Sequence, residues 1–106
     1  MTLRHVVLLR FRPEADAEQR AGIESAFAAL GSQIAEVRVL EWGIDCSSEG
    51  LAHGFTHCFS LSFADSRERD AYLVHPLHQT FSTLARPYLA EVLVLDYQVV
   101  AAGAQP

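Results

Sequence analysis

The strand-like segments of this 106-residue chain carry apolar side chains on both faces, and this feature limits the folds open to it. Alternation over residues 3–12 places Val7 on one face and Val6 on the other. Segment 91–100 repeats the pattern, with Val92 and Leu93 pointing to opposite sides. Each face of such a sheet needs a cover, so one layer of helices leaves the other face for a second sheet.

Hydrophobic periodicity predicts elements in the order β-α-β-β-α-β. The predicted strands are 3–12, 37–44, 55–63 and 91–100, and the predicted helices are 16–34 and a broken helix from about 66 to 88. Two right-handed split β-α-β units of this kind give an α+β, ferredoxin-like fold, with an antiparallel four-stranded sheet and both helices on one face. We therefore predict a homodimer, in which a second copy covers the other face.

Length sets the domain organisation. A chain of 106 residues has room for one hydrophobic core, and we assign the domain to residues 3–99. Residues 101–106 are predicted to form a flexible C-terminal tail. Six residues are predicted to be buried between the helices and the sheet: Phe27, Leu30, Phe59, Leu61, Phe81 and Leu84.

Pro76 interrupts the second helical segment. It lacks a backbone N–H and keeps His75 out of the helical region, so one helix should end near His75 and another begin at Pro76. His78 then lies in the first turn of the new helix, on the same face as Phe81 and Ala85. Burial and the helix dipole both favour its neutral form. A neutral histidine is a general base near neutral pH.

Charge and cysteine content exclude several partners. The net charge of −5 and pI near 5.4 argue against nucleic acid and against an anionic membrane surface, which both require basic patches. We expect neither a signal peptide nor a membrane span. Cys46 and Cys58 are too few for a disulfide scaffold or a zinc site, so a cytoplasmic location is expected.

The motifs for common cofactors are missing from the sequence. The histidine spacings do not match a metalloenzyme helix, and there is neither a glycine-rich phosphate loop nor a nucleophile elbow. We therefore predict no cofactor and no side-chain metal site.

Short motifs in a fixed order give a resemblance to a known family. They are His5-Val6-Val7-Leu8, Glu41-Trp42-Gly43, Gly54-Phe55-Thr56-His57, Tyr72, His75-Pro76-Leu77-His78 and Asp96-Tyr97. Together they resemble the Dabb family, the stress-responsive dimeric α/β-barrel domains, over nearly the whole chain. The resemblance implies two ferredoxin-like protomers packed sheet to sheet into a homodimeric α/β barrel.

The resemblance also implies site residues. The best-understood enzyme of the family is similar to a cofactor-free polyketide cyclase that closes a linear poly-β-keto thioester by aldol condensation. Its motif residues correspond to Tyr72 and His78 as the acid/base pair, with His5, His57 and Asp96 nearby.

The chain departs from the cyclase at one pocket position, where Phe27 replaces a tyrosine. The base is retained, and the change concerns the substrate pocket. Some plant members also hold a magnesium ion on backbone carbonyls at positions that match Gly31, Ile34 and Val37. Backbone ligands leave no side-chain signature, so the sequence itself makes no prediction of this ion.

Three of the candidate histidines also have structural interpretations. His5 and Asp96 lie on neighbouring antiparallel strands of the predicted sheet, and a contact between them would orient the imidazole. His57 lies on the apolar stripe of its strand, beside Phe59, which also makes it a candidate core histidine. His78 itself can be read as a structural helix-start residue hydrogen-bonded to a backbone carbonyl.

Three functional hypotheses follow. In the first, His78 and Tyr72 act on a small apolar carbonyl compound in a cavity lined by the other candidate binding residues: His5, His57, Asp96, Phe27, Phe59 and Phe81. In the second, the protein is a non-catalytic dimeric stress-response or ligand-binding protein. In the third, it is a cofactor-free monooxygenase. Fold alone does not decide between them.

Overall fold

The computed structural model describes residues 2–101 and residue 103. Its elements, in chain order, are β1 (Leu3–Phe11), α1 (Ala17–Gln33), β2 (Val39–Ile44), β3 (His57–Phe63), α2 (Ser66–Leu73), α3 (Pro76–Ala85), a 3₁₀ turn (Arg86–Tyr88) and β4 (Leu89–Gln98). The predicted order is confirmed, with the second helix divided in two. Most of the predicted tail, 101–106, lies outside the described residues.

The four strands form one antiparallel sheet in the order β2-β3-β1-β4, as in the ferredoxin-like fold. The two central strands, β1 and β3, carry the core. On the face towards the helices, Phe59 of β3 is fully buried and stacks against Phe27 of α1, with ring centroids 3.9 Å apart. Trp42 of β2 stacks on the same ring at 5.2 Å. This aromatic column fixes α1 on the sheet.

Helix α1 begins and ends at residues whose chemistry suits those positions. The Asp16 carboxylate accepts the Gln19 backbone N–H, and the Gln19 side chain accepts the Asp16 N–H, forming a capping box. Near the other end, a Cβ added to Gly31 would lie 2.9 Å from the Leu40 Cβ. Glycine is therefore needed there because α1 passes close to β2, an interaction that the sequence pattern alone does not indicate.

The helix break at Pro76 is confirmed. Helix α2 starts at the cap residue Asp65, whose carboxylate accepts the Glu68 N–H at 2.9 Å, and ends before Val74. His75 caps α3, since its Nδ1 accepts the backbone N–H of Leu77 at 3.1 Å. His75 therefore has the structural role of a helix-break residue.

One predicted core residue is wrong. Leu30, Leu61, Phe27 and Phe59 are buried, and Phe81 packs against the core while half-buried. Leu84 is 52% exposed, because α3 has a narrower buried face than the apolar stripe indicated: Ala85 is its buried residue and Leu84 points away from the sheet.

The second face of the sheet is open. On it Val6 pairs with Leu95 and Leu8 with Leu93, and the two β4 side chains are 60% and 43% exposed. This row of exposed apolar side chains is called the open face below. Within the described part of the chain, none of the helices has the length and apolar character needed to cross a membrane.

Candidate functional site

A cavity of about 450 Å³ lies on the helix side of the sheet, between α3 and the strands β1 and β4. Its walls are mostly apolar, with Val7, Phe27, Phe81 and Val94 among them. Four of the sequence candidates contribute polar groups: His5, Tyr72, His78 and Asp96. A mostly apolar cavity of this size with a few convergent polar groups is typical of a small-molecule site.

His78 lies in the first turn of α3, and the helix break gives its ring a partner. Its Nδ1 is 3.0 Å from the Leu73 carbonyl oxygen at the end of α2. A carbonyl oxygen only accepts, so Nδ1 carries the proton and donates, which leaves the Nε2 lone pair of the neutral ring free. Burial lowers the pKa of His78; the hydrogen bond to Leu73 opposes this in part, and the nearby His5 lowers the pKa further by a smaller amount.

Tyr72, on the last turn of α2, lies against His78. The two ring centroids are 4.6 Å apart, and Tyr72 is 1% exposed. Burial raises the pKa of its phenol above the ordinary value of 10.0. The phenol therefore keeps its proton near neutral pH and is a hydrogen-bond donor beside a neutral base.

His5 completes the polar end of the cavity. It pairs directly with Asp96 across β1 and β4, and its Nδ1 donates to the Asp96 carboxylate at 2.5 Å. This confirms the contact that strand order and direction predict. The second carboxylate oxygen accepts from Arg69 of α2 at 3.0 Å. Because the carboxylate is held from two sides, the His5 ring is fixed at 6.0 Å from that of Tyr72, measured between ring centroids.

Two candidate binding residues lie elsewhere. His57 pairs with Leu9, at the opposite end of β1 from His5, and does not line this cavity. Its Nε2 is instead 2.6 Å from the Glu24 carboxylate and its Nδ1 is 2.7 Å from the Thr56 hydroxyl, which makes it a satisfied core histidine. Phe59 is also outside the cavity, since Phe27 covers it.

Three charged residues of the site were not predicted from the sequence: Arg69, Arg86 and Glu91. Arg69 lies three residues before Tyr72 on α2, a spacing that places both on one helix face. The sequence shows this spacing, but it does not show that β4 brings Asp96 next to Arg69. Arg86 and Glu91, which line the far end of the cavity, had no sequence signal as site residues.

The environment of His78 gives a pH prediction. Its pKa is lowered from the ordinary value of 6.5, so we expect its ring to titrate below that pH in the folded protein. The unfolded chain then binds this proton at a higher pH than the folded one. Stability that is present above pH 6.5 should therefore be lost as the pH falls through the lowered pKa.

Titration of the His78 ring resonances by NMR measures this pKa directly. The same ring in the chain unfolded by urea serves as the comparison. A midpoint for His78 at or above 6.5 would contradict the burial argument.

The structure also bears on the metal positions that the resemblance implied. No cluster of three or more His, Cys, Asp or Glu side chains that could hold a metal ion occurs among the described residues. Backbone carbonyls at the end of α1 are of the kind that magnesium binds, and the helix dipole favours a cation there. An ion held by Gly31, Ile34 and Val37 would stabilise the turn into β2, and none of the three lines the cavity.

Known proteins are similar to this chain in sequence. The stress-response A/B barrel domain-containing protein HS1 of Arabidopsis thaliana is 32% identical over 96 residues, which cover 91% of this chain and 88% of that protein. Olivetolic acid cyclase of Cannabis sativa is 25% identical over 97 residues, covering 92% and 96% of the two chains.

Solved structures agree with the fold. Hydroxynitrile lyase from Passiflora edulis superposes with a TM-score of 0.89 at 23% identity, covering 95% of each chain. Several other neighbours are described as dimeric ferredoxin-like proteins of unknown function. The sequence model of the stress responsive A/B barrel domain, Dabb, matches residues 3–99. This chain belongs to that family.

Proposed function

We propose that the cavity carries out cofactor-free acid/base chemistry on a small carbonyl compound. One observation carries the proposal: the His78 ring donates Nδ1–H to the Leu73 carbonyl, which leaves Nε2 as a base beside the buried Tyr72 phenol. A protein that is 25% identical to this chain is named as a cyclase, which supports chemistry of this class.

The first step uses the two groups in complementary roles. The Nε2 lone pair of His78 takes a proton from the carbon next to the carbonyl. The electron pair of that C–H bond forms the carbon–carbon double bond of an enolate, and the carbonyl π electrons move to oxygen. The Tyr72 phenol donates a hydrogen bond to this oxygen, where negative charge develops in the transition state.

The second step depends on the substrate. If a second carbonyl of the same molecule lies within reach, the enolate carbon attacks it and closes a ring. The protonated His78 then returns its proton to the new alkoxide, so the reaction consumes no cofactor. His5, fixed by Asp96 and Arg69, lies beside Tyr72, and its Nε2 can accept a hydrogen bond from a substrate hydroxyl or enol.

The cavity walls favour apolar carbonyl compounds. Phe27, Phe81, Val7 and Val94 line the cavity with apolar side chains, and Tyr72, which is itself 1% exposed, donates its hydrogen bond from these apolar surroundings. Phe27 adds no hydroxyl to the cavity, so a substrate obtains its polar contacts from the cluster of His5, Tyr72 and His78.

Thermal-shift measurements against a library of small apolar carbonyl compounds, including short β-diketones, test the proposal. Compounds that bind the cavity should raise the melting temperature of the wild type more than that of His78→Ala, because the variant lacks the imidazole that contacts them. The exposed loop variant His53→Asn should respond like the wild type. Equal responses from all three proteins would favour the non-catalytic hypothesis.

The non-catalytic hypothesis rests on a specific contact. The bond from His78 to Leu73 joins α2 to α3 and would stabilise the helix break without any catalysis. On this view His78→Ala lowers the melting temperature by several degrees, and no carbonyl compound distinguishes it from the wild type.

We propose that the protein acts as a homodimer in the cytoplasm. The open face, with Leu93 and Leu95 exposed on it, is an apolar surface that a second copy can cover, and neighbours with this fold are described as dimeric. Cys46 and Cys58 are free, exposed thiols, in keeping with a reducing compartment.

Sedimentation at micromolar concentration should therefore give about twice the 11.7 kDa chain mass. Leu95→Glu places a charge on the open face and should shift the protein towards the monomer. Leu84→Glu places the same charge on the exposed side of α3 and should leave the mass unchanged. A wild type that sediments as a monomer would contradict the proposed assembly.

A further inference from the structure

The cavity has a second polar end, remote from His78. The polar cluster of His5, Tyr72 and His78 lies at the start of α3. At the other end, Ser82, Arg86 and Glu91 line the walls. From His78 to Arg86 is eight positions along α3 and the following turn, a rise of about 12 Å at helical geometry. Apolar side chains separate the two ends.

The charges at the two ends are balanced differently. Both carboxylates of the cavity have a guanidinium partner, since Asp96 is bound by Arg69 and Glu91 by Arg10. Arg86 has no carboxylate oxygen within 4.0 Å among the described residues, and its contact is a long hydrogen bond of 3.4 Å to the Ser82 hydroxyl. A single uncompensated positive charge therefore lies at the remote end, on a protein of net charge −5.

A guanidinium in this position is suited to one kind of ligand group. Arginine offers several N–H donors in a plane and binds carboxylates and phosphates through paired hydrogen bonds. The Ser82 hydroxyl can donate a further hydrogen bond to the same anion. An apolar stretch between an anion at Arg86 and a carbonyl at His78 would fill the middle of the cavity.

We propose that Arg86 recognises an anionic group, a carboxylate or a phosphate, at the end of the substrate remote from the reacting carbonyl. The inference rests on the proposed function, because it takes the His78 end as the reacting end. It narrows the substrate class to elongated carbonyl compounds with one apolar stretch and one terminal anion.

Three probes with carbon chains of matched length show whether binding depends on the negative charge and on the type of anion. The first is 9-oxodecanoate, which has a ketone at one end and a carboxylate at the other. Its methyl ester keeps the chain and removes the charge, and 8-oxononyl phosphate replaces the carboxylate with a phosphate. Binding of each is measured by isothermal titration calorimetry to the wild type, Arg86→Gln and Arg67→Gln. Arg67 is exposed on α2 and lies outside the cavity, so its variant controls for the change in net charge.

We expect the wild type and Arg67→Gln to bind at least one anionic probe about tenfold more tightly than the ester. Arg86→Gln should bind all three with the affinity of the ester. The preference should also weaken at high salt, because the Arg86 side chain is exposed. The stronger of the two anionic probes identifies the head group as carboxylate or phosphate.

Two results would overturn the inference. The first is that the wild type binds the ester as tightly as both anionic probes. The second is that Arg86→Gln keeps the preference for an anionic probe. Failure of the proposed function gives a different result, in which the anion preference depends on Arg86 but the bound ketones exchange no α-protons with solvent. The circular dichroism spectrum of each variant checks that its fold is unchanged.

Discussion

His78→Ala should lower kcat/KM for a short β-keto compound by about 10²- to 10⁴-fold, the range for loss of a general base. The substitution removes the one nitrogen, Nε2, that is free to take a proton, together with the Nδ1–H that holds the ring on the Leu73 carbonyl. Because His78 is half-buried at the wall of the cavity, fold and assembly should survive. Turnover, circular dichroism and sedimentation are measured on the same preparation.

Two further variants separate the chemistry from the structural contact. In His78→Asn the amide can replace Nδ1–H as donor to the Leu73 carbonyl but supplies no base, so activity should stay lost while stability recovers. Tyr72→Phe removes the phenol donor and keeps the base, so we expect a smaller loss of activity than for His78→Ala. Retention of wild-type turnover by His78→Asn would assign His78 to the structure of the helix break alone.

Phe59→Ala should lower the free energy of unfolding by about 3–5 kcal/mol, as for other large aromatic truncations in cores. Phe59 is fully buried between Phe27 and Trp42, and the cavity left by its ring would open at the centre of the sheet. Unfolding by urea at one fixed protein concentration measures the change, because the stability of a dimer depends on concentration.

Leu84→Ala is the matched control for this core prediction. Leu84 is 52% exposed on α3, so its truncation should cost less than about 1 kcal/mol. An equally small loss for Phe59→Ala would mean that Phe59 does not lie on the face of the sheet that the helices cover.

Local chemistry in the sequence was enough to predict most of the fold. The alternation of β3 and the break at Pro76 each depend on a few neighbouring residues, so a single sequence carries them. Leu84 was wrongly predicted to be buried. The apolar stripe of a helix shows which side can be buried, but tertiary packing decides how much of that side is covered. The need for glycine at position 31 likewise depends on the close approach of α1 to β2, which the sequence does not show.

The candidate site was only partly predictable for a related reason. Strand order and direction indicated that His5 and Asp96 could meet across 91 residues, but the register that pairs them directly comes from the structure. The same register places His57 beside Leu9 at the far end of β1, which pattern reasoning without a register could not determine. Arg86 depends on where α3 ends relative to β4, and that is a tertiary property.

Incorporation of solvent deuterium at the α-carbon of bound 9-oxodecanoate or a short β-keto thioester tests the central claim most directly. The measurement needs no knowledge of the later steps, and a chelator in the buffer tests independence from metal ions. The wild type should catalyse exchange well above the buffer rate, with the rate falling on the acid side below pH 6.5 as His78 is protonated. His78→Ala and His78→Asn should exchange at the buffer rate. Exchange by the wild type at the buffer rate, with probes shown to bind, would contradict the account.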